Sequence, residues 1–141
     1  MNKFGYRRMS GHKHFRGRGA YMRGCGLTLE RLSSGAVRIA LRGELDLNHA
    51  YTFDEELRRV EGAQPHCIVL DLRELSFMDS CGVGRLVAAR RRARRAGRRL
   101  VLVRGGRAVQ HLLALTGLEE TFEIVGDVPS SLLLAEPQSV P

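Results

Sequence analysis

The chain has 141 residues, which is enough for one domain with a self-sufficient hydrophobic core. No apolar run approaches the ~20 residues that a transmembrane helix needs, and no signal-peptide block opens the chain, so we expect a cytoplasmic protein without a membrane partner. The three cysteines lack metal-ligand spacing, and we therefore predict neither a disulfide framework nor a metal site such as zinc. We also expect no cofactor.

The net charge of +8 is concentrated at the N-terminus. Residues 1–26 hold seven basic residues and no acidic one, whereas the rest of the chain holds sixteen Arg and fifteen acidic residues. This glycine-rich segment has no apolar period and is predicted to be a disordered basic arm. Nucleic acid would be a partner only through this arm and its aromatic residues, and an unstructured leader or start-site artefact is the favoured interpretation.

The folded domain is predicted to span residues 27–128 and to begin with a β-hairpin. Apolar and polar residues alternate over 27–29 and 37–41, on either side of a Ser33-Ser34-Gly35 turn. The G-E-L-D segment at 43–46 ends the second strand. Either Asn48 or Asp46 can then cap a helix whose apolar stripe consists of Ala50, Phe53, Leu57 and Val60.

The apolar run from Cys67 to Leu72 predicts a central strand that is covered on both faces. A connector over 73–78 leads to Asp79 and Ser80, two good N-cap residues, and to a helix that stops at Gly97. We therefore expect Ser80 where several unpaired backbone amides converge, a place that tolerates a phosphate.

A second apolar strand over 100–103 completes a βαβ unit with parallel strands. A helix closed by Gly117 and a strand over 122–125 come next. Residues 129–141 are predicted to form a short C-terminal helix, over 130–136, and a frayed tail.

Four segments together resemble the STAS domain of bacterial anti-sigma factor antagonists. They are G-E-L-D at 43–46, I-V-L-D-L at 68–72, S-F-M-D-S-C-G-V-G at 76–84 and T-G-L at 116–118. The resemblance implies an α/β fold with a single STAS domain, in which a mixed β-sheet starts with a hairpin and carries helices mainly on one side.

The resemblance also implies a function. The unmodified protein would bind an anti-sigma factor that is itself a serine kinase of the histidine-kinase-like ATPase fold, and would thereby release a sigma factor. The kinase would phosphorylate Ser80, and a PP2C-type phosphatase would reverse this. The implied partner-binding residues are Glu44, Asp46, Asn48, Asp79, Cys81 and Gly82. The missing side chain of Gly82 would let a kinase active site approach the backbone.

Several residues have simpler interpretations. Ser80 would serve only as an N-cap, and Asp46 and Glu44 only as caps of the first helix. Cys81 would be only a small residue in the first turn, whereas the functional alternative is a thiol that senses oxidants. The simple interpretation is favoured for Cys81. It is also favoured for the arginine-rich helix, whose side chains we expect to form mostly a solvated face with Arg90, Arg91, Arg92, Arg94, Arg95, Arg98 and Arg99.

Two other classes of function compete with an antagonist. An enzyme would use Ser80 or Cys81 as nucleophile with His49 as the base, but no G-x-S-x-G elbow is present, so we predict no catalysis. A stressosome-like scaffold or a ligand-binding STAS module is the alternative. No nucleotide-binding glycine fingerprint supports the ligand-binding version.

Overall fold

The computed structural model describes residues 21–22 and 25–133, and within them six strands form one sheet with four helices. The strands are β1 Tyr21–Met22, β2 Cys25–Arg31, β3 Val37–Leu45, β4 Cys67–Met78, β5 Arg99–Val103 and β6 Glu123–Val125. The helices are α1 Leu47–Gly62, α2 Ser80–Ala96, α3 Arg107–Leu115 and α4 Ser130–Leu133.

The sheet is mixed and its strands are arranged in chain order. The β1/β2 and β2/β3 pairs are antiparallel, and the β3/β4, β4/β5 and β5/β6 pairs are parallel. This confirms the predicted α/β fold, the hairpin of β2 and β3, and the parallel βαβ unit. The sheet also includes Tyr21–Met22 and residues 25–26, which the sequence placed in the arm. The arm prediction for residues 1–20 and 23–24 and the tail prediction for 134–141 lie outside the described residues.

Strand β4 is longer than predicted, because residues 73–78 continue the strand and are not a connector. They pair with the end of β3, where Glu44 lies opposite Phe77 and Leu45 opposite Met78. The register shifts twice along this pair, between Ala40 and Arg42 and again between Gly43 and Glu44. These irregularities break the side-chain alternation by which a strand is recognised in a sequence.

Helices α1, α2 and α3 cover one face of the sheet and enclose the main core. Their buried residues include Phe53 and Leu57 from α1, Leu86 from α2 and Leu113 from α3, packed on residues such as Leu70 of β4. A smaller cluster on the opposite face places Leu132 of the short α4 with Val69 and Val101. The helices therefore lie mainly on one side, as the resemblance implied.

Helices α1 and α2 are also joined by ion pairs. Asp54 of α1 is 5% exposed and lies 3.3 Å from Nη2 of Arg92 and 3.7 Å from Nη1 of Arg85. Glu61, two turns along α1, accepts a hydrogen bond of 2.7 Å from Nε of Arg92. A carboxylate that loses its water needs such partners, so these contacts fix the two helices side by side.

Helix α4 covers only half of the second face of the sheet. The uncovered half carries a buried carboxylate. Asp71 is 3% exposed and accepts hydrogen bonds from the guanidinium groups of Arg38 (2.8 and 3.0 Å) and Arg73 (2.7 and 3.0 Å). Burial by itself would raise the pKa of Asp71, but these hydrogen bonds outweigh it and hold the pKa below its ordinary value of 3.8. Within residues 21–22 and 25–133, no helix is both long and apolar enough to cross a membrane.

We expect Asp71→Asn to lower the free energy of unfolding by about 2 to 3 kcal/mol at pH 7, because it leaves two guanidinium groups without their shared carboxylate. A carboxylate with a lowered folded-state pKa contributes stability above its unfolded pKa and loses it as the pH falls through the folded value. The difference between Asp71→Asn and the parent should therefore shrink below about pH 4. Urea unfolding at several pH values measures both effects.

Asp127→Asn is the matched control, because the Asp127 side chain is 79% exposed and accepts from Arg73 at the surface. We expect it to change stability by less than about 0.5 kcal/mol. Equal losses in the two variants would show that the buried carboxylate has no special role.

Candidate functional site

The candidate site lies at the edge of the sheet where β3 and β4 end. The two strands are parallel, so Leu45 and Met78 end side by side, and a helix comes after each of them. The β3–α1 turn carries Asp46 and the β4–α2 turn carries Asp79, each with extended backbone as the N-cap of its helix. The two helix N-termini therefore lie next to each other.

The carboxylate of Asp79 links these two turns. Its Oδ1 accepts hydrogen bonds from the backbone N–H of Cys81 (2.9 Å) and of Gly82 (3.1 Å) in its own helix. Its Oδ2 accepts from the backbone N–H of Leu47 (3.1 Å), the first residue of α1. The Asp79 amide also donates to the Leu45 carbonyl at 3.3 Å. One side chain thus caps two helices.

Asp46 caps α1 from its own side. Its Oδ1 accepts a hydrogen bond from the backbone N–H of Asn48 at 3.0 Å and lies 2.7 Å from Nδ1 of His49. The cap is therefore Asp46 and not Asn48, the other candidate, whose side chain is exposed. The ring of His49 is held by Asp46 through its Nδ1.

Ser80 is the first residue of α2 and is exposed. Its hydroxyl has no hydrogen-bond partner among the described residues. The expectation that several unpaired amides converge on it is wrong, because Asp79 already occupies the amides of Cys81 and Gly82. A group on Ser80 would still lie at the positive end of the α2 dipole, in direct proximity to the Asp79 carboxylate.

Gly82 has a different role from the one predicted. It is buried, and a Cβ atom added there would lie 2.6 Å from the Leu45 carbonyl oxygen and 2.7 Å from Cγ of Met78. The missing side chain therefore lets α2 approach the ends of β3 and β4. Gly82 is thus buried beneath the turn that carries Ser80.

The three cysteines differ in environment. Burial raises the pKa of the Cys25 and Cys67 thiols to about 11, and both side chains lie inside the core. Cys81 is partly exposed next to Ser80. All three are free thiols, and a pKa of about 11 leaves the first two uncharged at neutral pH.

Three large exposed apolar side chains on the elements that meet at this edge were not predicted from the sequence. Leu47 and Tyr51 of α1 are 70% and 64% exposed, and Phe77 of β4 is 45% exposed. We call these three residues the apolar shelf. A signal was present, since Leu47 and Tyr51 are four residues apart and lie off the buried stripe of α1. Exposed Glu44, opposite Phe77 in the sheet, and Asp46 add acidic groups to the same edge.

A polar concavity with a volume of about 390 Å³ is the other candidate site. It lies on the open half of the opposite sheet face, beside Arg38, Asp71 and Arg73. Its two central guanidinium groups are engaged by Asp71, and they also pair with Glu30 and Asp127. Such neutralised groups offer little to an anionic ligand. The edge that carries Ser80 is therefore the better candidate.

The chain is similar to known proteins in sequence and in fold. A family model described as STAS domain matches residues 31–130. The anti-sigma-F factor antagonist RsfB of Mycobacterium tuberculosis is 26% identical over 99 residues, which cover 70% of this chain and 80% of RsfB. The fold of an anti-sigma factor antagonist from Mycobacterium paratuberculosis superposes with a TM-score of 0.69 at 23% identity, covering 77% of this chain and 91% of that one.

The Bacillus protein SpoIIAA, an anti-sigma factor antagonist, is similar in two solved forms. Its unphosphorylated form superposes with a TM-score of 0.62 at 25% identity, covering 71% of this chain and 88% of that one. Its phosphorylated form gives a TM-score of 0.57 at 24% identity, covering 71% and 91%.

We expect Gly82→Ala to lower the free energy of unfolding by about 1 to 3 kcal/mol, because the new methyl group overlaps the Leu45 carbonyl and Met78 and forces α2 away from the strand ends. Gly84→Ala is the control two residues along, where an added Cβ meets nothing within 4 Å. That change should raise stability by about 0.5 to 1 kcal/mol, as expected for alanine in an exposed helix position. Chemical denaturation of both variants measures the contrast, and a neutral Gly82→Ala would contradict the close approach.

Proposed function

Because the chain belongs to the STAS domain family, we propose that it is an anti-sigma factor antagonist switched by phosphorylation of Ser80. In its unmodified form it binds a serine kinase of the histidine-kinase-like ATPase fold that acts as an anti-sigma factor, and the sigma factor is released in the cytoplasm. The same kinase phosphorylates Ser80, and a PP2C-type phosphatase restores the active form.

The observation that carries this proposal is the position of Ser80. Its side chain is exposed at the first residue of α2, its hydroxyl has no partner among the described residues, and Asp79 next to it fixes two helix N-termini. A kinase can reach this oxygen without unfolding any element. Because Asp79 supplies the cap, loss of the Ser80 hydroxyl to a phosphate ester removes no internal hydrogen bond.

Phosphorylation would change the charge of this edge strongly. A phosphate adds about −1.5 to −2 charges beside Asp79, with Asp46 and Glu44 on the neighbouring strand and turn. A partner packed against this edge would then face several uncompensated negative charges that it has to desolvate. The α2 dipole favours the phosphate, so the fold is retained while the docking surface is lost.

The apolar shelf provides the affinity in this proposal. Leu47, Tyr51 and Phe77 are exposed at the same edge as Ser80, and covering such side chains contributes roughly 25 cal/mol per Å² of apolar surface. The acidic groups around them then provide the switch. ATP, the metal ion and the phosphotransfer groups belong to the kinase, so the chain itself acts as a regulator and as a substrate and not as an enzyme.

Ser80→Ala should bind the anti-sigma kinase of the same genome as tightly as the unmodified chain and should resist release by ATP, whereas Ser80→Glu should bind at least about tenfold more weakly because a carboxylate stands at the docking edge. Isothermal titration calorimetry with ADP-loaded kinase measures both. Ser33→Glu is the control, because this exposed residue lies in the β2–β3 turn at the opposite end of the sheet.

Mass mapping after addition of ATP completes this test. Phosphate on Ser80 is the expected result. Equal affinities of Ser80→Ala and Ser80→Glu would refute the switch, as would phosphate on another residue with Ser80 unmodified. A scaffold of the stressosome type would bind its partners whichever residue stands at position 80.

Leu47→Ser should weaken kinase binding by about tenfold or more, since it removes an apolar contact from the shelf. Leu115→Ser is the matched control, because Leu115 is also 70% exposed but lies at the last residue of α3, away from the Ser80 edge. Both variants should unfold at the temperature of the parent. If the two lose affinity equally, the apolar shelf is not the docking surface.

A further inference from the structure

The arginine residues of α2 divide into two groups. One group has internal partners: Arg85 and Arg92 pair with Asp54, and Nε of Arg90 donates to the Thr121 carbonyl at 2.9 Å. Arg98 and Arg99, which come after the helix, also have partners in the Pro65 carbonyl and the Glu123 carboxylate. These side chains contribute to the packing of α2 against its neighbours.

The second group consists of Arg91, Arg94 and Arg95, which we call the arginine ridge. All three are exposed, and none has an ion pair or side-chain hydrogen bond with any described residue. Their spacing of three and four residues puts them on one face of the helix. Like charges at this spacing destabilise a helix by a few tenths of a kcal/mol per pair, and the helix dipole offsets only part of this.

The surroundings of the ridge indicate which partner fits it. The large exposed apolar side chains of the described residues are Leu47, Tyr51, Phe77, Leu115 and Leu133, and none of them belongs to α2. Ala96 and Gly97, which follow the ridge, are small and exposed. A protein partner normally needs an apolar or aromatic anchor at the centre of its interface, whereas a phosphate backbone needs only cationic donors.

The ridge is also remote from the Ser80 edge. Arg91 and Arg95 come 11 and 15 residues after Ser80 in one continuous helix, so they lie about 16 and 22 Å along its axis. Arg58 of α1, with a side chain that is 58% exposed, shares Asp54 with Arg92 and extends the positive surface towards α1. A ligand on the ridge therefore leaves the Ser80 edge accessible.

We propose that the arginine ridge binds the phosphate backbone of nucleic acid without sequence specificity. The planar guanidinium group donates two parallel hydrogen bonds to phosphate oxygens, and three such groups on one helix face match a run of adjacent phosphates. This goes beyond the antagonist function, because it gives the folded domain a second contact with a different class of partner. It differs from binding through residues 1–26, which are the same in every variant of the test.

The test uses the full chain and two triple variants of equal charge. Arg91→Gln/Arg94→Gln/Arg95→Gln removes the ridge, and Arg42→Gln/Arg104→Gln/Arg107→Gln removes three other exposed arginines. Fluorescence anisotropy with a labelled single-stranded RNA of about 30 nucleotides and with a duplex DNA is measured between about 50 and 200 mM salt. Three lost phosphate contacts should reduce the slope of log K against log salt by about 2 to 3 units.

We expect the ridge variant to lose about tenfold or more in affinity at about 100 mM salt relative to the charge-matched control. The variant Arg91→Lys/Arg94→Lys/Arg95→Lys should retain most of the binding, because lysine keeps the positive charge. This result would show that the loss in the glutamine variant does not come from a folding defect. Equal affinities of the ridge variant and the control would overturn the proposal. A ridge-dependent loss seen with poly-glutamate but not with RNA or DNA would overturn it in favour of an acidic protein partner.

Discussion

The arrangement at the Ser80 edge depends on one carboxylate that caps two helices. Asp79 accepts from two amides of α2 and from the first amide of α1, so two turns that are far apart in the chain share one hydrogen-bonding group. Buried or partly buried N–H groups at helix ends are costly when they lack an acceptor. This shared acceptor, together with the close approach at Gly82, makes the two turns one rigid surface.

That rigid surface separates two physical roles. Leu47, Tyr51 and Phe77 offer apolar area, whose contribution to binding is insensitive to charge. Asp46, Asp79 and the Ser80 hydroxyl determine the sign and size of the local potential. In the proposed switch, a covalent change at the hydroxyl alters the second property and leaves the first in place.

The sequence predicted those parts of the structure that depend on local rules. Alternation indicated the β2–β3 hairpin, and an unbroken apolar run indicated β4. The positions of both caps were predicted to within two residues, as Asp46 or Asn48 and as Asp79 or Ser80, and the structure selects Asp46 and Asp79. The Ser80 edge was predicted from the order of the motifs, and Ser80 is exposed there.

The parts that were missed depend on distant contacts. The continuation of β4 through residues 73–78 needs the end of β3 as its partner, and its irregular register hides the alternation. The need for a glycine at position 82 comes from its close contact with Leu45, which is far away in the chain. Likewise, the sequence shows Asp71 only as one residue of a predicted strand, and the tertiary fold alone brings Arg38 beside it. A hydrophobic period shows which face is buried, but it does not show what meets that face.

The environment of the three thiols has a practical consequence. Cys25 and Cys67 are enclosed by the core and carry pKa values of about 11, while Cys81 is partly exposed beside Ser80. A maleimide fluorophore would therefore attach at a single native position, without any engineered cysteine. The emission of that dye would change when a molecule binds at this edge or dissociates from it. The signal would be obtained in real time and without a change in the sequence.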